Sequence, residues 1–161
     1  MGKITAPEPI TAAHILAGFD CGTASLNDWL KRQALKNEIS GASRTFVTCK
    51  DLQVVGFYAL AVGSVNRKES PGNIKRKMPE PIPVMVLGRL AVDTHWQKSG
   101  IGRGLLKDAV IRTIKAANHA GIRALVVHAL SEEAKKFYLR HGFLESPLHH
   151  YTLMLPLTGK H

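Results

Sequence analysis

Hydrophobic residues recur along the first half of the chain with periods that predict one helix and two strands. Within residues 19–40 they return every three or four positions, which predicts a helix that begins near Thr23 or Ser25 and is closed by Gly41. Residues 44–50 and 53–65 are rich in β-branched and aromatic side chains and are separated by a tight turn. This pattern is typical of a β-hairpin.

The second half of the chain alternates strands with helices. Residues 83–92 are almost continuously apolar, which favours a strand buried on both faces, and residues 123–128 repeat that pattern. Helices are expected over residues 100–118 and 131–141, and a last strand is expected near residues 151–155. The order helix, β, β, β, helix, β, helix, β predicts an α/β (α+β) fold with a mixed central sheet flanked by helices.

Length and composition add limits to this picture. The 161 residues, 45% of them hydrophobic, suit a single domain over residues 1–161 with one core. No apolar run reaches the roughly 18 residues of a membrane span, and the N-terminal segment lacks the apolar core of a signal peptide. Cys21 and Cys49 match no metal or redox spacing, so we expect free thiols and a cytoplasmic location.

The charge balance is strongly basic. Twenty-two Lys and Arg against twelve Asp and Glu give a net charge of +10, with a pI near 9.9. Such an excess helps solubility, and it also attracts polyanions, either nucleic acid or a phosphate-rich cofactor. Part of this charge falls within residues 66–83, where proline and glycine predict a long basic loop.

A glycine-bearing junction follows the strand over residues 83–92. Gln97, Lys98 and Ser99 lead into Gly100-Ile101-Gly102, where the next helix starts. Free N–H groups and the helix dipole favour an anion there, and missing β-carbons allow a pyrophosphate to approach the backbone. The alternative is that both glycines serve only the turn and helix packing. A P-loop is excluded because no Gly-Lys-Ser/Thr follows, and the position of the glycines disfavours a dinucleotide fold.

Two linked motifs resemble the GNAT acetyltransferases. Gln97-x-x-Gly100-x-Gly102 is similar to the coenzyme A pyrophosphate loop of that family. Downstream, Ser131-x-x-Ala134-x-x-Phe137-Tyr138-x-x-x-Gly142-Phe143 is similar to the family's helix and turn near the thiol end of the cofactor, with Ser131 in place of the usual Asn. The resemblance implies a GNAT acyl-CoA N-acyltransferase fold and acetyl-CoA as the acetyl donor. The cofactor-binding residues it implies are Leu90, Ala91, Val92, Gln97, Lys98, Ser99, Gly100, Ile101, Gly102, Arg103, Ser131 and Phe137.

The resemblance also implies a catalytic role for Tyr138 as the general acid that protonates the departing thiolate. A tyrosine of pKa about 10 would give its proton to a thiolate of pKa about 8.5 against a gap of roughly 1.5 units. We therefore expect Tyr138 either to have a lowered pKa or to act mainly by hydrogen bonding. A backbone N–H near Val92 is the expected oxyanion donor.

The acceptor side carries no obvious general base. Neither residues 53–65 nor residues 83–92 contain Asp or Glu, and Asp93, just beyond the second strand, is in a position typical of a turn cap. A lysine amine, with a pKa of about 10.4, would need a base, whereas an α-amine of pKa about 7.7 to 8.0 is partly neutral already. The absence of a carboxylate on these strands therefore favours an α-amine substrate.

Basic residues not needed for coenzyme A suggest that the amine arrives on a large polyanion. Aminoacyl-tRNA combines an α-amino ester with a phosphate backbone. The residues predicted to bind tRNA are Lys31, Lys36, Lys75, Arg76, Lys77 and Arg89.

Further segments extend the resemblance to the GNAT toxins of type II toxin–antitoxin modules. They include Phe19-Asp20-Cys21-Gly22, Arg44-Thr45-Phe46-Val47 and Leu87-Gly88-Arg89-Leu90-Ala91-Val92. The resemblance implies acetylation of the α-amino group of aminoacyl-tRNA, a block of translation, a ribbon-helix-helix antitoxin as partner, and a homodimer.

Two other functions share some of these features. One is an ordinary GNAT N-acetyltransferase of a small amine or a protein N-terminus, in which the basic loop has no role. The other is a non-catalytic nucleic-acid-binding or regulatory module that keeps the fold. The eight histidines show no metal-ligand spacing, so no metal is expected.

Overall fold

The computed structural model describes residues 3–157 and contains five helices and seven strands within them. The helices are α1 (Ala24–Arg32), α2 (Ala34–Ser40), α3 (Gly72–Lys75), α4 (Ile101–Ala117) and α5 (Glu132–Arg140). The strands are β1 (Glu8–Pro9), β2 (Arg44–Lys50), β3 (Gln53–Val65), β4 (Ile82–Val92), β5 (Ala124–His128), β6 (Leu144–Glu145) and β7 (Thr152–Pro156). Two 3-10 turns lie at Arg67–Glu69 and Thr94–Trp96.

The strands form one mixed sheet in the order β1-β2-β3-β4-β5-β7-β6. β4 and β5 pair in parallel, whereas β1 with β2, β2 with β3, β5 with β7 and β6 with β7 are antiparallel. The expected α/β (α+β) fold with a mixed sheet is confirmed. None of the helices within residues 3–157 has the length and apolar character that crossing a bilayer requires.

The described residues divide into two compact units. The first contains the described residues up to Ala61 together with Gly88–Ala109. Its core is formed around Phe57, whose ring meets the edge of Phe19 at 5.5 Å and stacks on Trp29 at 6.0 Å between centroids. Trp29 belongs to α1 and Phe57 to β3, so this aromatic stack packs the helix against the sheet.

The predicted helix within residues 19–40 is two helices. Its start and its end at Gly41 are as expected, and Gly41 has the left-handed φ of 84° that favours glycine. At Gln33, however, φ is −115°, so the regular helical turn stops and a new one starts. Leu30 and Ala34, on either side of the break, are both fully buried. Apolar residues therefore keep helical spacing across the break at Gln33, so the spacing alone does not reveal it.

The second unit contains Val62–Leu87 together with the described residues from Val110 onward. Its sheet pairs Met85 with Leu125 and then Leu125 with Leu155, which places β5 between β4 and β7. Helix α5 begins at a Ser131 cap, where the side-chain oxygen accepts a hydrogen bond from the Ala134 N–H at 3.1 Å. The predicted loop over residues 66–83 contains a 3-10 turn and α3, and β4 begins within it at Ile82.

A close contact between β3 and α4 generates a stability prediction. A β-carbon on Gly56 would lie 3.0 Å from Leu105 Cδ1 and 3.1 Å from Ile101 Cγ2. Gly56→Ala should therefore lower the free energy of unfolding by about 1–3 kcal/mol, because the helix must move outward. Gly121→Ala is the matched control, since no atom lies within 4 Å of the place that its new methyl group would occupy, and it should change stability by less than about 0.5 kcal/mol. Equal denaturation midpoints for the two variants would contradict the prediction.

Candidate functional site

A buried carboxylate organises the turn that follows β4. Asp93 is 6% exposed, and its Oδ2 accepts the Asp20 N–H at 3.0 Å while its Oδ1 accepts the His95 N–H at 2.9 Å. Burial raises the pKa of the Asp93 carboxyl, but the hydrogen bonds from Asp20 and His95 outweigh it and leave the pKa below its usual range. Asp93 is therefore an ionised structural cap, as expected from its position, and is poorly suited to act as a general base.

The segment before α1 is tied to the same turn. The Asp20 carboxylate accepts the Gly22 N–H and the Asn27 side-chain amide at 2.9 Å each, and the Asn27 side-chain oxygen Oδ1 in turn accepts the Cys21 N–H at 2.9 Å. The Asp20 carbonyl also accepts the Thr94 N–H at 2.8 Å. These bonds explain why the pattern Phe19-Asp20-Cys21-Gly22 is followed by an Asn within α1.

The loop from Gln97 to Gly100 has a fixed shape. The Gln97 amide donates to the Val92 carbonyl at 2.9 Å and to the Cys21 carbonyl at 3.3 Å, which closes the loop against the end of β4. Lys98 and Gly100 both have left-handed φ values, 65° and 88°. The first N–H groups of α4 follow at once, and such groups lack partners within their own helix. The loop therefore presents the positive end of a 17-residue helix to an anion.

Positions 100 and 102 are occupied by glycine for different reasons. Gly100 is required by its φ of 88°. A β-carbon on Gly102, by contrast, would meet only Val92 Cγ2 at 3.8 Å, which is an ordinary contact. Glycine costs a helix about 1 kcal/mol relative to alanine. Packing among the described residues requires this loss neither at Gly102 nor at Gly104. The Gly104 N–H is engaged with the Gly100 carbonyl, whereas Gly102 lies in the first turn of α4, where N–H groups lack helical partners, so the structure favours close approach of a ligand at Gly102.

A cleft of about 210 Å³ lies at the end of β4 in the first unit. It is lined by Cys21, Thr23, Leu26, Leu90, Ala91, Val92 and Gln97. The prediction that β4 is buried on both faces is therefore wrong, above all beyond Leu87. Val84, Met85 and Leu87 are buried and Pro83 and Val86 are half-buried, whereas Gly88 is exposed and Arg89, Leu90 and Val92 are half-buried. Of these last residues, Leu90 and Val92 border the cleft.

The predicted cofactor-binding residues thus fall into three places. Leu90, Ala91, Val92 and Gln97 line the cleft. Lys98, Ser99, Gly100 and Arg103 are exposed on the adjoining loop and first helical turn, with Ile101 and Gly102 half-buried beside them. Ser131 and Phe137 belong to α5 in the second unit, where the Ser131 oxygen is engaged in capping.

Tyr138 lies in an aromatic cluster of the second unit. It is 5% exposed, and its ring meets Phe137 at 5.1 Å and Phe143 at 5.3 Å between centroids. Burial raises the pKa of the Tyr138 hydroxyl well above its usual range, because the apolar surroundings disfavour the phenolate. The expectation of a lowered pKa is therefore wrong, and hydrogen bonding remains as the way in which Tyr138 could act.

The predicted tRNA-binding residues are distributed over both units. In the first unit Lys31 and Lys36 are exposed, and Arg89 lies with its guanidinium carbon 4.4 Å from the centre of the Trp29 ring. This cation–π contact half-buries Arg89, and burial lowers the pKa of its guanidinium. In the second unit Arg76 and Lys77 are exposed and Lys75 is half-buried.

One cluster has no sequence signal. The Glu8, His14 and Cys49 side chains bring three possible metal ligands within 4.8 Å of one another. The Thr11 N–H donates to His14 Nδ1 at 3.0 Å, which places the ring proton on Nε2, 3.0 Å from the Glu8 carboxylate. A metal on Nε2 would require that proton on Nδ1. The donor set therefore fits a hydrogen-bonded anchor for the segment that carries β1.

Comparisons with known proteins agree with this geometry. A family model for the acetyltransferase (GNAT) domain matches residues 41–145. A tRNA-acetylating toxin of Mycobacterium tuberculosis (strain ATCC 25618 / H37Rv) is 48% identical over 155 residues, which cover 96% of this chain and 93% of that protein. The chain belongs to the GNAT acetyltransferase family, as its motifs indicated.

Solved structures of the same family superimpose closely on the chain. AtaT complexed with acetyl-methionyl-tRNAfMet gives a TM-score of 0.89 at 31% identity, covering 96% of this chain and 95% of that one. A mutant AtaT toxin bound to the C-terminus of the antitoxin AtaR and to acetyl-CoA gives 0.82 at 30% identity, covering 96% and 94%. These values confirm the GNAT fold.

Replacement of Gly102 separates a ligand-binding role from a packing role. Gly102→Ala should leave the free energy of unfolding unchanged or raise it by up to about 1 kcal/mol, because a methyl group fits there and alanine favours the helix. It should weaken acetyl-CoA binding by about tenfold or more, which corresponds to about 1.4 kcal/mol, because the methyl group obstructs approach to the free N–H groups. Calorimetry and denaturation measure the two effects.

Gly104→Ala is the matched control for that variant. It adds the same methyl group to the same helix, but the Gly104 N–H already donates to the Gly100 carbonyl at 3.0 Å, so it is not available to an anion. Acetyl-CoA affinity should therefore change by less than about twofold. If Gly102→Ala instead unfolded more easily and bound acetyl-CoA as well as the unmodified protein, the glycine would serve packing.

Proposed function

We propose that the chain transfers the acetyl group of acetyl-CoA to the α-amino group of aminoacyl-tRNA and thereby blocks translation as the toxin of a toxin–antitoxin module. The observation that carries the acetyl-CoA part is the glycine-opened start of α4 beside the cleft at the end of β4. The likeness to a tRNA-acetylating toxin, at 48% identity over nearly the whole chain, supports the acceptor.

The donor would bind along the junction between β4 and α4. Its diphosphate would accept hydrogen bonds from the main-chain N–H groups near Gly100, Ile101 and Gly102, with Lys98 and Arg103 adding positive charge. Its pantetheine arm would pair with the backbone of Leu90–Val92, where the strand borders the cleft. On α5, Ser131 and Phe137 would contribute to binding the thiol end of the donor. Ser131 would act through the first turn of the helix, which it caps.

The chemistry needs no carboxylate base. A neutral α-amine attacks the thioester carbonyl carbon, a new C–N bond forms, and a backbone N–H near Val92 stabilises the oxyanion. Collapse of the intermediate breaks the C–S bond, and the ammonium proton produced by attack passes to the thiolate. Tyr138, kept protonated by burial, would stabilise the departing thiolate as a hydrogen-bond donor rather than as a strong acid.

The acceptor's phosphates would meet the basic residues. Lys31, Lys36 and Arg89 would serve on the first unit and Lys75, Arg76 and Lys77 on the second. An antitoxin partner is supported by the AtaT relative, which is solved with an antitoxin segment. A ribbon-helix-helix class for that antitoxin, a homodimer and a cytoplasmic location complete the proposal as implications of the family resemblance.

The direct test is incubation with labelled acetyl-CoA and total charged tRNA, followed by identification of the acetylated aminoacyl adenosines. Label should appear on α-amino groups. The logarithm of the binding constant for tRNA should fall with the logarithm of salt concentration with a slope of about −3.5 to −4.5, if about five phosphates are contacted. A shallow slope with transfer to small amines would instead indicate an ordinary GNAT enzyme, and no transfer at all would indicate a non-catalytic module.

Tyr138→Phe tests the hydrogen bond to the thiolate. Turnover should fall by about 10²-fold or more, the order expected when one stabilising donor is removed, while acetyl-CoA affinity stays within about twofold. Because the pKa of Tyr138 is raised, the hydroxyl remains protonated across the working range, so turnover of the unmodified enzyme should show no loss between about pH 7 and 10 from tyrosine ionisation. Near-normal turnover of the variant would remove Tyr138 from the mechanism.

A further inference from the structure

Two arginines outside the predicted interface bind the main chain that presents the basic residues of the second unit. From here on, the basic loop means residues 66–78, the part of the loop predicted over residues 66–83 that contains its basic residues. The Arg67 guanidinium donates to the carbonyls of Lys75 and Met78, the latter at 2.6 Å. The Arg123 guanidinium donates to the carbonyls of Ile74 at 2.9 Å, Asn73 at 3.2 Å and Arg76 at 3.3 Å. The carbonyls of residues 73–76 and of Met78 therefore all accept hydrogen bonds from these two guanidinium groups.

Four of these carbonyls, those of residues 73–76, lie at the end of α3 and its C-cap, where acceptors lack partners within the helix, and the Met78 carbonyl follows just beyond. A helix of four residues cannot satisfy its last carbonyls internally, and cations are favoured at that end. Ile74, within the same turn, is fully buried in a cluster with Ile82, Val84 and Met154. The turn is thus fixed from one side by an apolar anchor and from the other by two guanidinium groups.

The base of the basic loop is also held. Glu69 forms a reciprocal capping box with Asn66, and its carbonyl accepts the Ser146 hydroxyl at 2.6 Å. Its carboxylate lies 3.0 Å from His149 Nε2. The Arg67 N–H donates to Glu80 Oε1 at 2.7 Å, so the main chain of Arg67 is fixed as well as its side chain.

The cations at the end of the loop are left available. Arg76 and Lys77 are exposed, and neither forms an ion pair with any residue between 3 and 157. The Arg76 carbonyl is bound by Arg123 while its side chain faces solvent. A rigid backbone that carries free cations loses little conformational entropy when a phosphate binds, which favours affinity.

We infer that Arg67 and Arg123 are positioning residues that hold the basic loop in a preformed arrangement, so that Arg76 and Lys77 meet the acceptor's phosphates without prior ordering. This inference rests on the proposed function, because it assigns the loop to the polyanionic substrate. It also makes a claim about the free protein, which can be measured without RNA.

The experiment compares Arg123→Gln with Arg140→Gln. Both variants remove one positive charge from the second unit. Arg140, however, is exposed at the end of α5 and is not among the donors to these carbonyls. In the free protein, Arg123→Gln should speed amide hydrogen exchange of residues 74–78 by about tenfold or more, since those amides lie in the turn it holds. Arg140→Gln should leave them within about twofold.

With charged tRNA, Arg123→Gln should raise KM by about tenfold while kcat and the KM for acetyl-CoA stay within about twofold, because only the preformed geometry of the loop is lost. Arg123→Lys keeps the charge and should restore part of the tRNA affinity, which keeps the test usable if the glutamine variant folds poorly. Unchanged exchange of residues 74–78, or equal KM changes for Arg123→Gln and Arg140→Gln, would overturn the inference.

A double variant, Arg76→Gln with Lys77→Gln, separates the positioning role from the proposed function. If it weakens tRNA binding but Arg123→Gln does not, the positioning role fails while the proposed function stands. If the double variant binds tRNA as well as the unmodified protein, the basic loop is not the acceptor surface, and the inference fails together with that part of the proposed function.

Discussion

The structure depends on how one buried carboxylate fixes the main chain after β4. Asp93 binds the N–H groups of Asp20 and His95, and its own N–H donates to Val55 on β3. The Gln97 side chain donates a hydrogen bond to the Val92 carbonyl, which further restricts the main chain before α4 begins. The Asp93 and Gln97 side chains are engaged within the turn, whereas the first N–H groups of α4 have no partner within their own helix and can meet an outside ligand. The site is therefore made of backbone that the surrounding side chains hold rigid.

Much of this could be predicted from the sequence, because the signals were local. Helical spacing, turn residues and two linked motifs located the five longer strands, α4, α5 and the glycine junction, whereas the two-residue strands β1 and β6 were missed. The break at Gln33 could not be predicted, since Leu30 and Ala34 keep helical spacing across it. The exposure of β4 beyond Leu87 was also missed. Leu90, Ala91 and Val92 are as apolar as the residues before Gly88, and only the tertiary structure places them beside a cleft.

Charge was the feature least predictable from the sequence. A net charge of +10 indicates a polyanionic partner, but composition does not say which cations are free to meet it. Arg67 and Arg123 are engaged with main-chain carbonyls, and Arg89 rests on Trp29, whereas Arg76 and Lys77 are exposed. Of the two expectations for Tyr138, a lowered pKa was wrong for the same reason, while action by hydrogen bonding stays a prediction. Burial of Tyr138 among Phe137 and Phe143 is a property of packing, and a motif alone does not carry it.

The most direct test of the central claim is a crystal structure of the chain with acetyl-CoA. We predict diphosphate oxygens within hydrogen-bond distance of the main-chain N–H groups between Lys98 and Arg103, with the pantetheine arm along Leu90–Val92. A diphosphate held elsewhere, or held only by side chains with those N–H groups facing water, would contradict the claim.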